Sequence, residues 1–128
     1  MHGLEWVVEA WGCSAAALRD QSALQALFDS LIEDLHLRPI GPPVWHEFSG
    51  GGGITGLCLL SESHLACHTF PEHSSLCLNL FSCVPRQEWE FEHELRERFG
   101  ATRVQVRSLK RPYESWCEEM AGSRGEFR

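Results

Sequence analysis

Residues 59–83 read LLSESHLACHTFPEHSSLCLNLFSC and hold three of the seven histidines (His64, His68, His73) and three of the six cysteines (Cys67, Cys77, Cys83). Imidazole and thiolate are zinc ligands. Imidazole also changes charge near neutral pH, which suits it to moving protons. The spacing argues against the metal. Successive side chains of a strand alternate faces, so His64 and His68 point one way and Cys67 the other. The set His64, Cys67, His68, His73 and Cys77 therefore does not converge on one ion, and no metal is expected. Two imidazoles on one face of a strand are not there only to pack.

The elements that position these groups follow from periodicity. His64, Ala66, His68 and Phe70 share one face of an expected strand, with Leu65, Cys67 and Thr69 on the other. Leu76, Leu78 and Leu80 face the core in the next strand, leaving Cys77, Asn79, Phe81 and Cys83 on the opposite side. Ser61, Glu62 and Ser63 form a polar break before the first of these strands, and residues 71–75 a turn between them. Residues 54–60 form a nearly all-apolar strand. Residues 44–48 form a short one, joined to it by the glycine-rich loop 49–53, whose bare backbone can pass close to a ligand.

Upstream, Leu4, Trp6, Val8 and Ala10 alternate with Glu5, Val7, Glu9 and Trp11, which predicts a first strand; Glu9 reads as a solvated or edge carboxylate. Leu24, Leu27, Phe28, Leu31 and Leu35 keep the spacing of an amphipathic helix, stopped by Pro39 and the run Gly41-Pro42-Pro43. Downstream, Pro85 opens a second helix through Phe91, Leu95 and Phe99, with Gly100 ending it. Residues 102–107 alternate again, and the tail from Arg111 reads as irregular. The order is β-α-β-β-β-β-α-β. The expected fold is α+β, a two-layer sandwich of an antiparallel-rich sheet with two helices on one face. Trp6, Trp11, Trp45 and Phe81 are candidates to cover the other face, and pairing two such faces would give a homodimer.

Composition sets wider bounds. The 128 residues suit a single domain. A net charge of −7 argues against nucleic acid as partner. No apolar run reaches the ~18–20 residues needed to span a membrane, so no membrane partner is expected. The first residues, MHGLEWVVEAWGC, do not read as a signal peptide. The scattered cysteines read as reduced thiols of a cytoplasmic protein.

The central stretch resembles the bacterial and archaeal type of S-adenosylmethionine decarboxylase, a self-cleaving pyruvoyl enzyme. The resemblance rests on S-E-S-H at 61–64, H-T-F-P-E at 68–72 and L-F-S-C at 80–83, and extends more weakly from Gly3 to about Lys110. It implies cleavage between Glu62 and Ser63, giving residues 1–62 and 63–128, with Ser63 converted to a pyruvoyl cofactor. Such a group is an electrophilic carbonyl that no ordinary side chain provides, and it forms a Schiff base with an amine substrate. His68 matches the family's processing base. Thr55 occupies the place of a hydroxyl residue, usually serine, that assists the acyl shift. Cys83 matches the acid that returns a proton to the substrate after carbon dioxide leaves, while Cys58, Cys67 and Cys77 read as inert core thiols. For substrate, the resemblance implies that Glu72 accepts hydrogen bonds from both ribose hydroxyls. Phe48 and Phe70 would stack on the adenine near the sulfonium.

The expected function is decarboxylation of S-adenosylmethionine to the aminopropyl donor of polyamine (spermidine) synthesis, by a homodimer of cleaved protomers. Residues 50–53, Asn79 and His73 depart from the family's pattern around the substrate. That keeps a second substrate class open, a basic amino acid such as arginine or ornithine. Outside enzymes, the alternative is an uncleaved relative acting as a binding or zinc-structural module.

Overall fold

The computed structural model describes residues 2–114. Six strands run β1 (His2–Trp11), β2 (Val44–Glu47), β3 (Ile54–Leu60), β4 (Ser63–Phe70), β5 (Ser75–Ser82) and β6 (Arg103–Pro112). Three helices accompany them: α1 (Ala15–Leu18), α2 (Gln21–Asp34) and α3 (Phe91–Phe99). The strands form one sheet of order β2-β3-β4-β5-β1-β6, and each neighbouring pair is antiparallel. Among the described residues no helix is long and apolar enough to cross a membrane.

Alternation decides what the sheet buries. Trp6, Val8 and Ala10 of β1, Leu65 and Cys67 of β4, and Leu76, Leu78 and Leu80 of β5 are buried. They meet Leu24, Leu27, Phe28 and Leu31 of α2 and Phe91, Leu95 and Phe99 of α3. Asp20 caps α2 by accepting from the Ser22 amide, and Gly100 takes the left-handed conformation (φ 71°) that ends α3. Trp45 of β2 packs on Phe28, ring centroids 5.0 Å apart. This stacking needs a glycine opposite: a Cβ on Gly56 would lie 2.2 Å from the Trp45 ring. Gly56→Ala is therefore expected to cost about 1–3 kcal/mol through forced repacking, read as a lowered thermal midpoint.

Four expectations need correction. Pro85 does not open a helix. Residues 85–90 stay outside regular structure, because Arg86 and Trp89 are drawn to the end of α2. Arg86 donates to the Leu35 carbonyl, and Trp89 donates to Asp34 at 2.8 Å. A separate short helix, α1, precedes α2. The buried Thr69 hydroxyl donates to the Leu18 carbonyl at α1's last residue and accepts from the Ile54 amide. Trp6 and Trp45 do not cover the open face. Trp6 shares the buried parity of Val8 and Ala10, and Trp45 shares that of Gly56, so both lie under the helices; only Trp11 and Phe81 are on the open side. Finally, Arg111 and Pro112 continue β6, paired to Gly3 and His2; the tail from residue 115 lies outside the described residues.

Candidate active site

The open face is a grid set by strand register. One transverse row runs His46, Thr55, His68, Cys77, Glu9, the partners pairing strand to strand. Within it Thr55 Oγ1 and His68 Nδ1 are 3.1 Å apart. In the tautomer whose Nδ1–H donates to this hydroxyl, His68 Nε2 carries the lone pair that a base needs. Closer to the hairpin turn, His64 Nε2 lies 3.1 Å from Asn79 Oδ1, and Asn79 Nδ2 donates to Glu5 at 2.7 Å. Arg111 also binds Glu5, and Arg107 binds both oxygens of Glu9 at 2.7 Å. Glu9 is thus ion-paired across strands, which is more than an edge position implies.

Thiol environments separate the cysteines. Burial pushes Cys67 up to about 12, so it stays protonated at neutral pH. Burial raises Cys58 as well, with a smaller contribution from Asp29. Cys77 differs from the core position expected for it: it lies half-buried on the open face, raised first by burial and then by Glu9. Among the described residues no three His, Cys, Asp or Glu side chains converge as a metal site. His64 and His68 face away from buried Cys67.

The second cluster surrounds the turn between β3 and β4. Leu60 pairs with Ser63, so Ser61 and Glu62 alone make the turn. The Glu62 carbonyl accepts from the Cys83 amide at 2.9 Å, and the Ser61 amide donates to the Arg38 carbonyl at 2.8 Å. Tyr113 donates to the Cys83 carbonyl at 2.9 Å. Ser63 pairs with Ser82, whose hydroxyl accepts from Arg86 Nε at 3.0 Å. A second Arg86 nitrogen lies 3.6 Å from a Glu62 carboxylate oxygen. Nothing in the sequence pattern marks Arg86, which reads there as the second residue of a helix.

These two clusters do not meet within one chain. Ser63 and His68 are five residues apart on β4, about 16 Å at ~3.3 Å per residue. Five is odd, so alternation also turns them to opposite faces.

A third group lies at the far end of the sheet. The Phe48 amide donates to the Gly53 carbonyl at 2.9 Å, and Gly53 passes so close to the Thr69 carbonyl that a Cβ would lie 1.8 Å from it. Phe48 and Phe70 thus flank Gly53. Both rings are exposed, at 54% and 37%, so neither is a core aromatic. Glu72 follows in a 3₁₀ turn, Pro71–His73, with its carboxylate exposed. Glu72 and the two rings lie at the His68 end of β4, away from Ser63.

The fold matches that of a solved structure, adenosylmethionine decarboxylase from Aquifex aeolicus, with a TM-score of 0.71 over 91% of this chain and 98% of that one, at 19% identity. The sequence profile of the S-adenosylmethionine decarboxylase family matches residues 4–112. An S-adenosylmethionine decarboxylase proenzyme of Acetivibrio thermocellus is 31% identical over 85% of this chain and 87% of its own length. One of Thermomicrobium roseum is 31% identical over 85% and 92%. This chain belongs to the S-adenosylmethionine decarboxylase family.

Proposed function

We propose that the chain cleaves itself between Glu62 and Ser63 and then decarboxylates S-adenosylmethionine, supplying an aminopropyl donor for polyamine synthesis. The observation that carries the reading is the hydrogen bond from the Cys83 amide to the Glu62 carbonyl. The Ser63 hydroxyl attacks that carbonyl carbon, and the donor sits where negative charge develops. The peptide nitrogen leaves the carbonyl, converting amide to ester. His68 removes the α-proton of residue 63, and the Glu62 carboxylate departs. The dehydroalanine left behind takes up water and loses ammonia, which makes residue 63 the pyruvoyl group.

The residues present fit that group: a serine follows a tight turn, and the carbonyl before it is held by a fixed donor. Once formed, it supplies the electron sink that decarboxylation of an amine substrate requires. Cys83 lies beside the same turn and returns the proton to the α-carbon. Glu72 accepts from the ribose hydroxyls, and Phe48 and Phe70 hold the adenine.

The separation of Ser63 from His68 supports a reading in which the site is completed by a second copy. The open face carries Leu57 and Leu59, exposed at 51% and 59%, beside Val44 at 70%. Covering that face with its two-fold mate would bury this apolar area. It would also bring the Thr55–His68 pair, Glu72 and the rings of one copy up to the strand end that carries the Glu62–Ser63 turn of the other. The oligomer is therefore read as a homodimer with two composite sites.

The test is carbon dioxide release from S-adenosylmethionine, arginine and ornithine in parallel, using protein that mass spectrometry shows to be cleaved. Release from S-adenosylmethionine is expected. Glu72→Gln should weaken its use roughly ten- to a hundredfold, the loss of one charge-assisted hydrogen bond, without slowing cleavage. Release from a basic amino acid alone would overturn the substrate assignment and direct attention to residues 50–53, His73 and Asn79.

A further inference from the structure

Arg86 occupies a position that the steps above do not use. It follows Pro85 in the irregular segment after β5, and its side chain is only 18% exposed. Its guanidinium reaches three separate parts of the chain. Nη1 donates to the Leu35 carbonyl at 2.9 Å, at the negative end of α2. Nε donates to the Ser82 hydroxyl at 3.0 Å, and Ser82 is the cross-strand partner of Ser63. Nη2 faces the Glu62 carboxylate at 3.6 Å. A planar guanidinium has five donors in a rigid fork, so fixing two of them fixes where the remaining edge points. Here that edge points at the residue that contributes the scissile carbonyl.

We propose that Arg86 is a positioning residue for self-cleavage, clamping the Glu62 side chain while the Cys83 amide holds the Glu62 carbonyl. The proposal rests on the self-cleavage reading. Attack by a hydroxyl on the adjoining peptide requires that the peptide plane be held against rotation. In a two-residue turn that plane has few restraints. The Cys83 amide restrains it at one atom, and the Arg86–Glu62 pair adds a second point on the same residue, anchored to helix and sheet. Glu62 is half-exposed, so the pair contributes little to global stability; its effect is on local geometry. When the ester breaks, Glu62 acquires a second carboxylate at the new chain end. Arg86 stands beside it and holds that end against the sheet, leaving residue 63 free.

The experiment follows cleavage of freshly synthesised chain over time on denaturing gels, for the parent, Arg86→Gln, Arg86→Lys, Glu62→Gln and the Arg86→Gln/Glu62→Gln double variant. Thermal unfolding confirms that each is folded. Arg86→Gln and Glu62→Gln should each slow cleavage roughly two- to fivefold. The double variant should be no slower than Arg86→Gln, because the two residues act through one contact. Arg86→Lys should recover part of the rate. Parent-like cleavage in Arg86→Gln, or two losses that multiply in the double variant, would overturn the proposal. Should Arg86→Gln fail to fold, Glu62→Gln and Arg86→Lys decide in the same way: parent-like cleavage in both sinks it. A parent that never cleaves refutes the self-cleavage reading itself, which is a separate result.

Discussion

Ser63→Ala is expected to stay one full-length chain under every condition in which the parent separates into residues 1–62 and 63–128, and to release no carbon dioxide from S-adenosylmethionine. The loss should be complete because one hydroxyl supplies two things. In the proposed route it is the nucleophile that opens the Glu62 carbonyl, and the carbons of residue 63 become the electrophile on which decarboxylation depends. Alanine removes both and leaves the register of β4 with β3 and β5 intact, so the variant should fold and unfold like the parent. Intact-mass spectrometry under denaturing conditions reads the outcome directly. The larger-numbered fragment of the parent should also lack a free amine at its first residue. A parent that remains whole on prolonged incubation would remove the enzyme reading, or show that Thr55, with its added methyl, stalls the acyl shift.

The second large effect is complementation between two dead variants. Ser63→Ala lacks the proposed nucleophile and keeps His68; His68→Ala lacks the proposed base and keeps Ser63. Expressed separately, neither should yield two chains. Co-expressed with distinguishable tags, they should form mixed dimers in which Ser63 of one copy meets His68 of the other. Only the His68→Ala chain should then be cut, in about half of its copies if pairing is random. The expectation comes from the ~16 Å separation and opposite parity of Ser63 and His68 along β4. Processing within one protomer would leave the His68→Ala chain whole in the mixture, and this outcome would end the composite-site reading. Gel filtration of the parent gives an independent check, since a monomer could not cleave at all by this route.

Much of the fold was legible in the residues. The alternation of Trp6, Val8 and Ala10 and the helical spacing of Leu24, Leu27, Phe28 and Leu31 reflect burial, and the buried positions in the structure are those same residues. The bounds of β3 follow from an apolar run between a glycine loop and a polar turn. Local pattern failed where a distant partner outweighed it. Residues 85–90 carry a helix-start signal at Pro85, yet Arg86 and Trp89 bind the end of α2, reached only in three dimensions. Arg111 and Pro112 look like loop residues, yet β1 offers them a strand to pair with.

The candidate site divides in the same way. The proposed chemistry came from a resemblance read from three short motifs, which implies Glu62-Ser63 as a scissile pair, His68 and Cys83 as proton-transfer groups, and Glu72 with two aromatics as a ligand set. That order of residues says nothing about which of them meet. Pairing of β3 with β4 put Thr55 beside His68, and the return of the chain after β5 put the Cys83 amide on the Glu62 carbonyl. Strand geometry then kept these two groups apart, because a rigid extended segment cannot fold back on itself to bring residues 63 and 68 together. Proximity along a chain is a local property, whereas proximity across a sheet depends on register and on which face each side chain takes, and only the folded structure sets those.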